Sequence, residues 1–165
     1  MDYKGQGNVE EFSSLLKGES LRCSAIVAAA FFDETLARLL GDGKDRSFNR
    51  RVELALDFGL LTKDEHADLH SIRDIRNDFA HDLRKTGYDP EVETRIDAMR
   101  ILISSLEAIP GRLRLLPTPQ DRFLYVAGVI AFRLQHRTKS PEKTGPLPEP
   151  EAWDTNAWPP LIVES

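Results

Sequence analysis

The sequence predicts an all-α protein: a compact helical bundle of about five to six helices with an irregular, proline-rich C-terminal tail. Three observations predict it. Apolar residues recur at steps of three and four through most of the first 138 positions. Helix start and stop signals punctuate that pattern at regular intervals. No stretch of useful length alternates with the two-residue period of a strand, and no internal repeat is present.

The elements follow in order. The first few residues read as disordered, and Val9 to Lys17 reads as a short helix. A long helix runs from about Ser20 to Leu40, with Ala28, Ala29 and Ala30 at its centre where another helix can approach closely. Gly41-Asp42-Gly43 ends it. Ser47 caps a third helix with Phe48, Val52, Ala55 and Leu56 at helical spacing, and Gly59 closes it. Thr62-Lys63-Asp64-Glu65 is a capping box that opens a helix running to about Arg84, before Gly87 breaks the chain.

Asp89-Pro90 starts the next helix, whose apolar stripe is Ile96, Met99, Ile103 and Leu106; Pro110-Gly111 ends it. Thr118-Pro119-Gln120-Asp121 repeats the start signal, and a very apolar helix follows to about His136. The bundle domain is thus residues 1–138. Residues 139–165 form an extended or disordered tail crowded with Pro141, Pro146, Pro148, Pro150, Pro159 and Pro160. Trp153 and Trp158 within it are suited to dock on the body or on a partner.

Composition narrows the function. The 165-residue chain has a net charge of -5, which argues against holding nucleic acid by bulk electrostatics and leaves room only for a local basic patch. Cys23 is the only cysteine, so no intrachain disulfide forms, which fits a reducing, cytoplasmic setting. Beside an apolar run it reads as a small core residue. The most apolar stretch, Ala25 to Phe32, is too short to span a bilayer and reads as a helix buried on most sides. Glu10, Glu11 and Glu19 precede it where a signal peptide would be basic.

The chemistry concentrates on the helix that begins at the capping box. At 100° per residue, Leu69, Ile72, Ile75, Phe79 and Leu83 share a core face, and His66, His70, Arg73, Asn77 and His81 share an adjoining one. Arg76 projects from within the apolar stripe, where it needs a partner or must reach outward along its stem. Arg76 and His81 differ in direction by roughly 140°, so a second copy across a two-fold axis would best bring such groups into one cleft.

Histidine can shuttle a proton, arginine can hold a phosphodiester oxygen, and Asn77 can orient either group. Together, Arg76, Asn77 and His81 suffice as catalytic residues for metal-free cleavage of RNA, with the ribose 2′-hydroxyl as nucleophile. The structural alternative pairs Arg76 with a carboxylate such as Asp33 or Glu34 and gives His81 a backbone carbonyl.

His66 and His70 have a metal-compatible i,i+4 spacing, but the intervening residues lack the zinc-protease glutamate and no third clear ligand is adjacent. They read as an exposed helical face, and no metal or cofactor is assigned. The alternation of Arg73, Asp74, Arg84 and Lys85 with Asp78 and Asp82 reads as a solvated surface. Asp33, Glu34, His70 and Arg73 are the candidate binding or interface residues.

Arg76-Asn77-Asp78-Phe79-Ala80-His81 resembles the R-x4-6-H motif of the HEPN superfamily of helical bundles. A wider stretch resembles the mannitol operon repressor family. It comprises Ala28-Ala29-Ala30-Phe31-Phe32-Asp33-Glu34 with Leu36, Leu39 and Leu40, then Phe48, Arg51, Leu54-Ala55 and Gly59-Leu60-Leu61. Asp68-Leu69 and Ile72-Arg73-Asp74-Ile75-Arg76-Asn77 complete it, so the likeness covers roughly residues 19 to 110.

The HEPN resemblance implies a dimeric, metal-independent ribonuclease, toxin or antitoxin with Arg76 and His81 lining a cleft at the dimer interface. The repressor resemblance implies a regulator of sugar-alcohol uptake. No clear helix-turn-helix with a basic recognition helix is present, so a protein partner is expected rather than direct DNA binding. The reading is a cytoplasmic homodimeric regulatory binding module that needs no membrane. The alternatives are the ribonuclease, with RNA as partner, and a non-catalytic antitoxin-like partner.

Overall fold

A computed structural model describes residues 9–43, 45–85 and 89–139. The first eight residues, Gly87 and the tail with Trp153 and Trp158 lie outside the described residues. The chain forms α1 (Val9–Leu16), α2 (Leu21–Leu40), α3 (Phe48–Asp57), α4 (Lys63–His81), α5 (Pro90–Asp97), α6 (Arg100–Ala108), a 3-10 turn (Arg112–Leu115) and α7 (Pro119–Lys139). Among the described residues there is no strand, and the fold is an all-α bundle. No described helix is long and apolar enough to cross a membrane.

The starts at Ser47 and Thr62 are capped as the sequence predicts, and Ser20 caps α2 in the same way. Ser20 and Ser47 each accept an amide at 3.3 Å, from Cys23 and Arg50. Thr62 accepts from the Glu65 amide at 3.2 Å while Glu65 accepts from the Thr62 amide at 2.9 Å. Such caps satisfy amides that have no partner within their own helix.

α2 and α4 pack against each other at the centre. α3 covers one side of that pair, and α7 lies against α1, α2, α5 and α6. Phe12, Phe32, Leu36, Ile72, Ile75, Phe79, Phe123 and Leu134 meet in one core from which water is excluded.

Buried ions tie the elements together. The Glu65 carboxylate is fully buried and receives Arg137 at 2.7 and 3.1 Å and Arg133 at 3.4 Å, so one side chain caps α4 and anchors α7. Arg51, 5 % exposed, bonds Asp33 at 2.6 Å, Asp42 at 3.1 Å and the Gly43 carbonyl at 2.7 Å. The two carboxylates, Asp33 first, hold its pKa above the ordinary arginine value, and the three contacts join α3 to α2 and the connection between them.

Five local expectations are corrected. The helix expected from Asp89 to Pro110 is two, because the Asp68 carboxylate accepts the amides of Arg100 at 2.8 Å and Ile101 at 2.9 Å. In a continuous helix those amides would bond carbonyls four residues back. Asp68 is instead the N-terminal cap of α6, supplied from α4 where Met99 offers none. Met99 is fully buried, but Ile103 is 41 % exposed, so the expected stripe does not hold through the break.

α4 stops at His81 rather than near Arg84: Asp82 leaves helical geometry, and Leu83 is 84 % exposed. Cys23 is exposed rather than a core residue. The run from Ala25 to Phe32 is buried on one side only, because Ile26 and Ala30 share the outward face of α2 with Cys23.

Candidate functional site

The last two turns of α4 carry Arg76, Asn77 and His81. Arg76 is exposed, and its Nη1 donates to the Asn77 Oδ1 at 2.7 Å. The expectation that it lies within the apolar stripe is corrected. The buried set of α4 is Glu65, Asp68, Leu69, Ile72, Ile75 and Phe79. On the ideal wheel Arg76 still falls between Glu65 and Leu69, both fully buried, so its exposure comes from its place two turns further along α4 and not from its direction.

The carboxylates considered as Arg76 partners are engaged elsewhere. Asp33 holds Arg51, and Glu34 pairs at 3.5 Å with Arg38 on the outside of α2. His81 is exposed, and among the described residues its imidazole makes no hydrogen bond or ion pair.

The helix end that presents His81 is fixed from outside. Arg22, on the first turn of α2, donates to the carbonyls of Phe79 at 2.9 Å, Leu83 at 2.9 Å and Lys85 at 2.7 Å, and reaches that of Asp82 at 3.4 Å. A cation here complements the negative end of the α4 dipole and occupies carbonyls the helix leaves unpaired. The residues that follow are held as well. Lys85 meets Glu91 at 2.9 Å and Asp78 at 3.9 Å, and its pKa is raised, chiefly by the Glu91 hydrogen bond.

The first half of α4 gathers a second cluster. His66 and His70 both turn Nε2 to the Oε1 of Glu53 on α3, at 3.1 and 2.7 Å, and their own Nε2 atoms are 3.2 Å apart. The His70 hydrogen bond, then that of His66, lowers the Glu53 pKa below the usual carboxylate value. Arg73 pairs with Asp74 at 3.1 Å and bonds Asn49 on α3. Arg95 of α5 holds Asp74 at 3.2 Å and Asp78 at 3.6 Å.

Chemically, the C-terminal half of α4 offers an arginine steadied by an amide and an unpartnered imidazole on a braced helix end. That set can grip an anionic or hydrogen-bonding group, and the imidazole can exchange a proton. The structure therefore places Arg76 and Asn77 in contact. Asp33 and Glu34 stand in separate ion pairs on α2, and His70 and Arg73 face α3.

Two residues escaped the sequence reading. Glu53 lies on another helix, so the spacing of His66 and His70 could not supply it. Arg22 did leave a signal: a cation in the first turn of a helix opposes the dipole and needs anionic or carbonyl partners elsewhere. Comparison with family models, with curated proteins and with solved structures finds no match to this chain.

Proposed function

We propose that this chain is a cytoplasmic regulatory binding module of the mannitol-repressor-like kind, working as a homodimer of HEPN-like bundles. The observation that carries the reading is His81: an exposed imidazole without a partner among the described residues, on a helix end braced by Arg22. Most charged side chains around it are paired, whereas this one is fixed in position and left available. A free polar group on a rigid element is suited to recognition.

The second copy is expected on the outward face of α2. Cys23, Ile26 and Ala30 make an exposed small and apolar stripe there, and Ile26 is 44 % exposed. Arg22 ties the start of that stripe to the end of α4, so a two-fold contact along α2 would bring both His81 side chains to one side of the dimer. The protein partner then docks across Arg76, Asn77 and His81 of both copies.

A second reading is favoured by the same unpartnered imidazole on the helix that also carries an amide-steadied arginine: metal-independent cleavage of RNA. One experiment separates the two. Single-stranded RNA is incubated with the purified protein in excess chelator, and a reporter driven by a sugar-alcohol uptake promoter is measured with wild type and His81→Ala. The regulatory reading expects intact RNA and regulation that is lost in His81→Ala. Cyclic phosphate ends that disappear in His81→Ala would replace it with the ribonuclease.

A further inference from the structure

The geometry points to a divalent metal site of the zinc class formed by Glu53, His66 and His70, joining α3 to α4. It is independent of the proposed binding face: His70 and His81 are eleven residues apart, about 16 Å along the helix.

The donor atoms are the Oε1 of Glu53 and the Nε2 atoms of His66 and His70, with separations of 2.7, 3.1 and 3.2 Å. A metal about 2.05 Å from each of its ligands sets neighbouring donors about 2.9 Å apart in an octahedral site and about 3.3 Å apart in a tetrahedral one. The triangle therefore has the size of one face of either polyhedron. Two imidazoles and a carboxylate suit zinc and its first-row neighbours rather than calcium or magnesium, which take oxygen ligands.

Protons alone do not satisfy this cluster. If both imidazoles carry a proton on Nε2, both can donate to Glu53, but their two N–H groups then oppose each other. If one Nε2 is a lone pair, it can accept from the other histidine, but it then faces the Glu53 oxygen as acceptor against acceptor. With Glu53 ionised, in every protonation state of the two histidines one of the three contacts lacks a donor–acceptor pairing. A cation takes a lone pair from all three.

The two histidines come from consecutive turns of α4 and are held by its backbone, so the arrangement needs only the Glu53 side chain from α3 to complete it. All three residues are half-buried, so a bound ion would keep at least one position open to water or to a donor from another molecule.

Calorimetric titration of untagged, full-length, metal-free protein with zinc tests the site. The expected result is one ion per chain with a Kd in the micromolar range or tighter, and a rise in Tm of at least about 5 °C at a hundredfold excess over Kd. His66→Ala, His70→Ala and Glu53→Gln should each lower affinity by at least about tenfold, the scale on which even outer partners of a metal act. His136→Ala should leave the affinity unchanged. X-ray absorption of the zinc-loaded wild type needs no variant to fold and should count two imidazoles. Absence of saturable binding, binding that survives the ligand substitutions, or a site with fewer than two imidazoles would overturn the assignment.

Discussion

Arg22 and Phe79 join the first turn of α2 to the last turns of α4: the Arg22 Nη1 donates to the Phe79 carbonyl at 2.9 Å, and its guanidinium carbon lies 5.4 Å from the centre of the Phe79 ring. The contact closes a helix whose last turn would otherwise fray beside His81. Arg22→Ala should cost about 1–3 kcal/mol, the range for removing a charged donor from partly buried acceptors. Urea unfolding reads the loss. Hydrogen exchange should quicken most at the amides of residues 79–82. A uniform change along the chain would mean that Arg22 does not brace this end.

Arg76→Ala and His81→Ala should each leave stability within about 0.5 kcal/mol of wild type, because both side chains are exposed and fill no core space. Thermal unfolding checks this. A large loss for Arg76→Ala would restore the buried pairing that the sequence alone implies.

Glu65→Ala should be among the most damaging single changes. It leaves Arg133 and Arg137 without their buried carboxylate and removes the reciprocal cap of α4. A loss of about 3–5 kcal/mol is expected from breaking a buried pair on one side, read from denaturant midpoints. A loss near zero would show that Glu65 is solvated in solution.

Asp68 makes stability depend on pH. Burial pushes its pKa from the ordinary 3.8 up to about 6, against the Ile101 and Arg100 amides, which favour the charged form. The folded chain therefore holds a proton that the unfolded chain has already released. The contribution is fully present below about pH 4 and is lost as pH rises through about 6, on the order of 3 kcal/mol in all. Wild type minus Asp68→Asn, measured by unfolding across that window, should fall with pH. A difference independent of pH would contradict the shift.

Much of the fold was legible because its signals are local. The Ser47 cap, the Thr62–Glu65 box, Gly41 and the Asp89-Pro90 start depend on neighbours in sequence, and the structure keeps them. The break at Met99 was not legible, because its cause, Asp68, lies more than thirty residues earlier. The same holds for the exposure of Arg76, which depends on where along α4 the other helices cover it. At the site, the spacing of His66 and His70 was visible, but Glu53 belongs to another helix. The motif itself was plain in the sequence, but whether its side chains were engaged elsewhere was not, since that rests on Arg51 taking Asp33 and Arg38 taking Glu34.

The central claim is that two copies join along the outward face of α2 and so present the α4 motif as a pair. Sedimentation equilibrium at micromolar concentration tests it most directly, on wild type and on Ile26→Glu with helix content checked by circular dichroism. A charge placed at the centre of an apolar contact should disrupt it. The account predicts a dimer for wild type and a folded monomer for Ile26→Glu; a monomeric wild type, or a variant that remains dimeric, would contradict it.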